Sequence, residues 1–226
     1  NIQGGKYTLE LEQTRILVYL GEPLHYAVAQ EIYLDMIPAE GSYINAGIWT
    51  IRLEPVVTVT GQYYLYLPAG SGIGESTGFY RATPQVTLTI PSTAAKVITV
   101  GAYDQVYDTY ADFSGRGYAD STRTIGVAAA GLTKPDLVAP GVNIQAPDVY
   151  GSFTPVTGTS FAAPIVSGAA ALLMEWGIVR GNDPFLYGEK VKAYLRRGAR
   201  ELPGFGKYPN REVGYGRLCL ERSLPD

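Results

Sequence analysis

The stretch from Thr159 to Trp176 constrains this chain more than any other part of it, because TSFAAPIVSGAAALLM carries no charge at all before Glu175. A helix that is apolar nearly all round belongs inside a domain rather than on its surface. Its small residues Gly168, Ala169, Ala170 and Ala171 leave little bulk, so other elements can approach closely. Gly158-Thr159-Ser160 stands at its start. The first backbone N–H groups of a helix have no intrahelical acceptor, and the helix dipole adds partial positive charge there. A serine at that point is either an N-cap on a core helix or a nucleophile beside a ready-made site for a negative oxygen, which acyl transfer requires.

The chain around this helix has two textures. Residues 1–90 read as short strands between turns. Tyr7, Leu9 and Leu11 alternate with Thr8, Glu10 and Glu12, the period-two pattern of a half-buried strand. Further strands are expected at Ile16–Leu20, Glu31–Ile37, Ile48–Leu53, Gln62–Leu67 and Gln85–Ile90, separated by Gly- and Pro-containing turns. Several short strands at this spacing predict a β-sandwich or jelly roll. From Thr93 the pattern changes. Val97–Gly101 reads as a buried, parallel-type strand, with a second short piece at Gly126–Ala130. A second helix is expected from Pro184 to Ala199, punctuated by Pro at its start and Gly198 near its end. Leu186, Lys190, Val191, Tyr194 and Leu195 would form its inner face. The second half, 91–226, is therefore α/β.

Bulk properties narrow the functions. A net charge of −3 leaves no basic excess for nucleic acid. The apolar stretches read as shorter than a membrane span, so no membrane partner is expected. The single cysteine, Cys219, excludes an intrachain disulfide and reads as a small core residue. Asp104, Asp108, Asp112 and Asp120 lie in loop-like sequence that calcium could use. Solvated loop charge explains them more simply, and neither a metal nor a cofactor is expected.

Gly158-Thr159-Ser160-Phe161-Ala162-Ala163-Pro164 resembles the serine motif of the subtilases. The resemblance extends, in the family's order, over Val97–Asp104, Asp112–Gly117, Lys134–Gly141 and Gly214–Leu218, and covers roughly residues 89–226. Ile165 departs from it, since many subtilases carry His there. The first half resembles clostridial germination-type (Csp-like) subtilases through Gly47-Ile48-Trp49, Tyr66-Leu67-Pro68 and Thr87–Ala94. Those enzymes insert a jelly roll within the protease domain. The resemblance implies the C-terminal part of a three-layer α/β/α domain with a parallel sheet. It also implies a nucleophile at Ser160, with Gly158 and Thr159 supporting the oxyanion site, and a peptide or protein substrate. A bacterial spore or secreted setting would follow from the same resemblance.

Subtilases use an Asp-His-Ser triad in that chain order. Neither an Asp-Ser/Thr-Gly motif nor a His-Gly-Thr-His motif occurs here, and Asp120-Ser121-Thr122 is a poor imitation in the wrong order. The one histidine, His25, sits in a strand-like run and reads as structural, and Asn45 reads as a turn residue rather than the oxyanion asparagine. The chain starts at Asn1 without Met and opens almost at once into a strand. The expectation is a serine-bearing portion, inactive alone and paired with an N-terminal portion that supplies Asp, His and Asn. Two other readings stay open: a pseudoprotease scaffold, and a ligand-binding jelly roll using exposed tyrosines such as Tyr63-Tyr64-Leu65-Tyr66.

Overall fold

The computed structural model describes residues 4–22, 30–54, 57, 61, 63–68, 74, 76–117 and 133–225. They fall into two compact units, one up to Gly78 and one from Phe79 onward. Segment 79–90, expected to close the first half, is bonded within the second unit: Thr87 N–H donates to Arg116 O at 2.9 Å, and Arg116 N–H to Thr87 Oγ1 at 2.9 Å.

The first unit holds an antiparallel meander of β1 (Gly5–Leu11), β2 (Thr14–Leu20) and β3 (Ile32–Pro38). Its register puts Tyr7, Val18 and Leu34 in one row, and Leu9, Ile16 and Met36 in the next. Because side chains alternate along a strand, these rows make one apolar face, as the period-two pattern predicts. Tyr19 and Tyr33 pair across β2 and β3 on the opposite face, with ring centroids 5.8 Å apart. The strands expected at 48–53, 62–67 and 85–90 are not strands among the described residues. A strand exists only when a neighbour accepts its hydrogen bonds, and alternation alone supplies no neighbour. The Tyr63–Tyr66 run is exposed coil, with Tyr64 and Tyr66 stacked on each other.

The second unit is built on β4 (Val100–Asp104), with β6 (Leu137–Pro140) parallel on one side and the two-residue β5 (Thr109–Tyr110) antiparallel on the other. The buried strand expected at Val97–Gly101 lies three residues further on, because its N-terminal part is taken up by side-chain bonds described below. The hairpin of β7 (Ile144–Pro147) and β8 (Phe153–Val156) leads into α1 (Thr159–Met174), which runs on into a π-helical turn, Glu175–Val179. Helices α2 (Gly188–Gly198) and α3 (Leu220–Ser223) follow. Ala102, Leu137 and Ala139 face Ala162, Val166, Ala169 and Leu173 of α1 and Val191 and Leu195 of α2. On the opposite face Tyr103 and Val138 meet Leu202 and Val213.

Three expectations are corrected. Helix α1 is buried along one stripe, and Ala163, Pro164, Gly168, Ala171 and Leu172 are exposed. Thr159–Val179, 21 residues containing an 18-residue window of mean hydropathy 1.6, is by length and composition enough to cross a membrane. Its interspersed Gly and Ser hide that continuity in the sequence, and its packed stripe seats it on the sheet. Helix α2 begins at Gly188, not Pro184. It buries Lys192 rather than Lys190, which reaches out to Asp183 at 2.6 Å. Cys219 is half-buried at the start of α3, not in the core.

Candidate active site

Ser160 is the second residue of α1 and is exposed. Strand β8 brings the chain to this point, and Thr157 and Gly158 turn it into the helix. Gly158 has φ 154° and ψ 158°, a conformation that L side chains rarely adopt. Its N–H donates to Gly141 O at 2.8 Å. Gly141 passes equally close: a Cβ there would lie 2.6 Å from the Ala102 Cβ and 3.1 Å from Gly158 O. Two glycines thus let the end of β6, the middle of β4 and the serine loop meet backbone to backbone. A second tie fixes the loop, since Asn143 N–H donates to Thr157 Oγ1 at 3.0 Å. Thr159 is half-buried beside the serine.

This arrangement sets an exposed hydroxyl beside the start of α1. Phe161 N–H donates to Gly158 O at 3.1 Å, and the N–H groups of Thr159 and Ser160 before it have no acceptor within the helix. Among the described residues the Ser160 hydroxyl has no hydrogen-bond partner. His25 and Asp120-Ser121-Thr122 lie outside the described residues, as do Gly126–Ala130. Asn45 belongs to the first unit, where it works as a structural hub. Its Oδ1 accepts from Gln13 N–H and the Thr14 hydroxyl, its own N–H donates to Thr14 Oγ1, and its Nδ2 donates to Glu12. Asp104 accepts from the N–H of Val106 and Tyr107, and Asp108 pairs with Arg217.

What the sequence reading missed is a buried carboxylate. Asp136, just before β6, is fully buried among three cations. Its Oδ2 accepts from Thr99 N–H at 2.6 Å and from Lys134 Nζ at 2.9 Å. Its Oδ1 accepts from Arg196 Nε at 2.8 Å, and Lys192 Nζ lies 3.2 Å away. Lys192 also donates to Ala95 O and Val97 O, and burial holds its ammonium below the ordinary lysine range. Arg196 lies 4.8 Å from the Tyr215 ring centroid. These bonds take over the chain before β4 and bind it to α2, which is why the strand starts late. A signal was present: Lys192 and Arg196 stand four apart on the stripe of Val191 and Leu195, where an unpaired charge is not tolerated.

The model of the subtilase family matches residues 72–216, well over half of the chain. The chain belongs to the subtilase family. It is similar to the serine protease AprX of Bacillus subtilis, 34% identical over 62% of this chain and 32% of AprX. It is 35% identical to the membrane-bound transcription factor site-1 protease of Mus musculus, over 61% of this chain and 12% of that protein. Among solved structures, the CspB protease of Clostridium perfringens superposes with a TM-score of 0.78 at 35% identity, covering 98% of this chain and 44% of that one. This subtilase chain thus spans less than half the length of the relatives it matches. The Gly158–Pro164 motif and the Asp136 cluster both fall inside the matched region.

Proposed function

We propose that this chain is the serine-bearing portion of a subtilisin-type endopeptidase that cleaves peptide or protein substrates. The observation that carries the reading is the exposed Ser160 on the second position of α1, behind a glycine in a glycine-only conformation. In the proposed reaction a histidine base takes the Ser160 proton as Oγ attacks the peptide carbonyl carbon. The Ser160 N–H supplies one donor to the resulting oxyanion, with Gly158 and Thr159 shaping its surroundings. The C–N bond then breaks, the amine leaves with the proton from histidine, and water releases the acyl group from Ser160.

Asp, His and a second oxyanion donor come, in this reading, from an N-terminal portion of the same protease. The exposed side of α1 supports that partnership. Leu172 and Met174 stand about half exposed there beside Gly168 and Ala171, and unpaired apolar surface of this kind marks an interaction face. The sandwich reading, cut back to the unit that ends at Gly78, rests likewise on the apolar face of β1–β2–β3, whose Tyr7 and Leu9 are half exposed.

The test is labelling with a fluorophosphonate, with and without the N-terminal portion. Labelling and casein hydrolysis are expected only with both parts, and both vanish in Ser160→Ala. Assembly without labelling would instead support the pseudoprotease reading.

A further inference from the structure

The β7–β8 hairpin carries a feature that catalysis by Ser160 does not use. Its tip exposes Val149 and Tyr150, each 91% exposed, and Phe153 at 68%. Pro147 and Pro155 are exposed on the same side, and Pro147 is the register partner of Phe153. Gln145, the register partner of Pro155, faces the same side, so the apolar strip runs from the tip down β8 through Phe153 and Pro155 toward the serine loop. The tip is built rather than loose. The Asp148 carboxylate accepts from Tyr150 N–H at 2.8 Å and Ser152 N–H at 3.1 Å, and from the Ser152 hydroxyl. Asp148 N–H donates to Ser152 O at 2.9 Å, and Gly151 takes φ 80° to close the turn. The base is equally fixed by the Asn143–Thr157 and Gly141–Gly158 bonds. Tip and base are thus each held by hydrogen bonds, and β8 joins them to the serine loop.

A rigid turn that holds two large apolar side chains in water has paid their ordering cost in advance, which is how a recognition element is made. We propose that this tip is a docking element for apolar side chains of the polypeptide substrate. They would lie several residues away from the bond that Ser160 cleaves. The assignment of the occupant rests on continuity with the nucleophile and on the proposed peptidase activity. Strand β8 spans roughly 13 Å at 3.3 Å per residue. That is the length of about four extended substrate residues, and Thr157–Thr159 lie between β8 and Ser160, so the tip is reached more than four residues from the scissile bond. Pro147 and Pro155 lack N–H donors, so the hairpin recognises side chains rather than adding a substrate strand.

The test uses the complete protease, this chain together with the portion supplying Asp and His. The double variant Val149→Ser, Tyr150→Ser leaves Asp148 and Ser152 in place. Three readouts are taken: fluorophosphonate labelling of Ser160, hydrolysis of a short acetyl-amino-acid ester that cannot reach the tip, and hydrolysis of fluorescein-labelled denatured casein. The expected result is a roughly tenfold fall in kcat/KM on casein, in line with loss of an aromatic anchor. Labelling and ester hydrolysis stay unchanged, and Tyr150→Phe alone behaves as wild type. Equal falls on ester and casein, or no fall on either, overturn the proposal.

If the wild-type protease is neither labelled nor active, the peptidase reading has failed by itself. The tip is then judged by anisotropy of the labelled casein. Binding weakened about tenfold by the double variant supports docking, and unchanged binding overturns it. A difference seen only on vesicles of phosphatidylglycerol and phosphatidylcholine would reassign the tip to a lipid surface, and also overturns it.

Discussion

At the scale of single residues, the buried carboxylate of Asp136 and the exposed hydroxyl of Ser160 stand at opposite ends of one short path. Asp136 precedes β6, β6 ends at Pro140, and the carbonyl of the next residue, Gly141, accepts from Gly158 N–H. The carboxylate satisfies Lys134, Lys192 and Arg196 at once. Removing one partner of a buried ion pair strands the other and costs about 3–5 kcal/mol. Asp136→Ala strands three cations, so a loss at the upper end of that range is expected in chemical denaturation. Asp136→Asn keeps the shape but not the charge, and is expected to lose nearly as much. Ser160 was singled out because its neighbours are chemically peculiar, Gly158 two residues before it and small residues after it. Asp136 was not, because a Lys-Pro-Asp run says nothing about the helix that arrives much later with Lys192 and Arg196. Asn45, read as a turn residue, instead ties its segment to Thr14 and Glu12 more than thirty residues earlier.

At the scale of elements, local pattern served where an element carries its own partner. Strands β1 and β2 are adjacent in sequence, and both were readable as strands, β1 from its alternation and β2 from its apolar run. Helix α1 was readable as a helix from its small apolar residues, but its burial was not, since only one stripe meets the sheet. Strands β5, β7 and β8 were missed because each has only two to four residues and is set by pairing rather than by pattern. The β7–β8 hairpin depends on Asp148, whose hydrogen bonds from Ser152 and Tyr150 hold its carboxyl below the ordinary range. A group depressed in the folded state stabilises above its unfolded value and loses that contribution as pH falls through the folded one. The turn is therefore expected to stay ordered at neutral pH and to loosen below about pH 4. Amide shifts of Tyr150 and Ser152 followed by NMR between pH 7 and 2 measure this. Asp148→Asn is expected to remove the acid transition.

At the scale of the molecule, each compact unit holds large apolar side chains in water, Tyr7 and Leu9 in the first and Leu172 and Val179 in the second among them. In the second unit the exposed flank of α1 is the largest such element by length, and in the first unit it is one face of the β1–β2–β3 sheet. If an N-terminal portion covers α1, an environment-sensitive dye such as ANS will bind the chain strongly alone. That fluorescence is expected to drop by more than half on assembly, with a rise in the thermal midpoint. Unchanged dye binding on mixing would speak against the partnership. The α/β character of the second half was legible from its buried strand and its helices. The pairing order was not, because parallel neighbours such as β4 and β6 are far apart in sequence.

The length of α1 with its π-turn bears on how such a chain is made. Before any sheet exists to receive it, Thr159–Val179 leaves the ribosome as an apolar run of bilayer-crossing length. Its Pro164, Ser167, Gly168 and Gly177 keep that run at the margin rather than deep in the range of lipid insertion. Pro164, Ser167 and Gly168 lie on the exposed side of α1, while Ala162, Val166, Ala169 and Leu173 meet β4 and β6. One side of the helix thus seats it on the sheet and the other restrains it from partitioning into a membrane during synthesis. A bulkier apolar residue at Gly168, where a Cβ would meet nothing within 4 Å, would weaken the second and leave the first untouched.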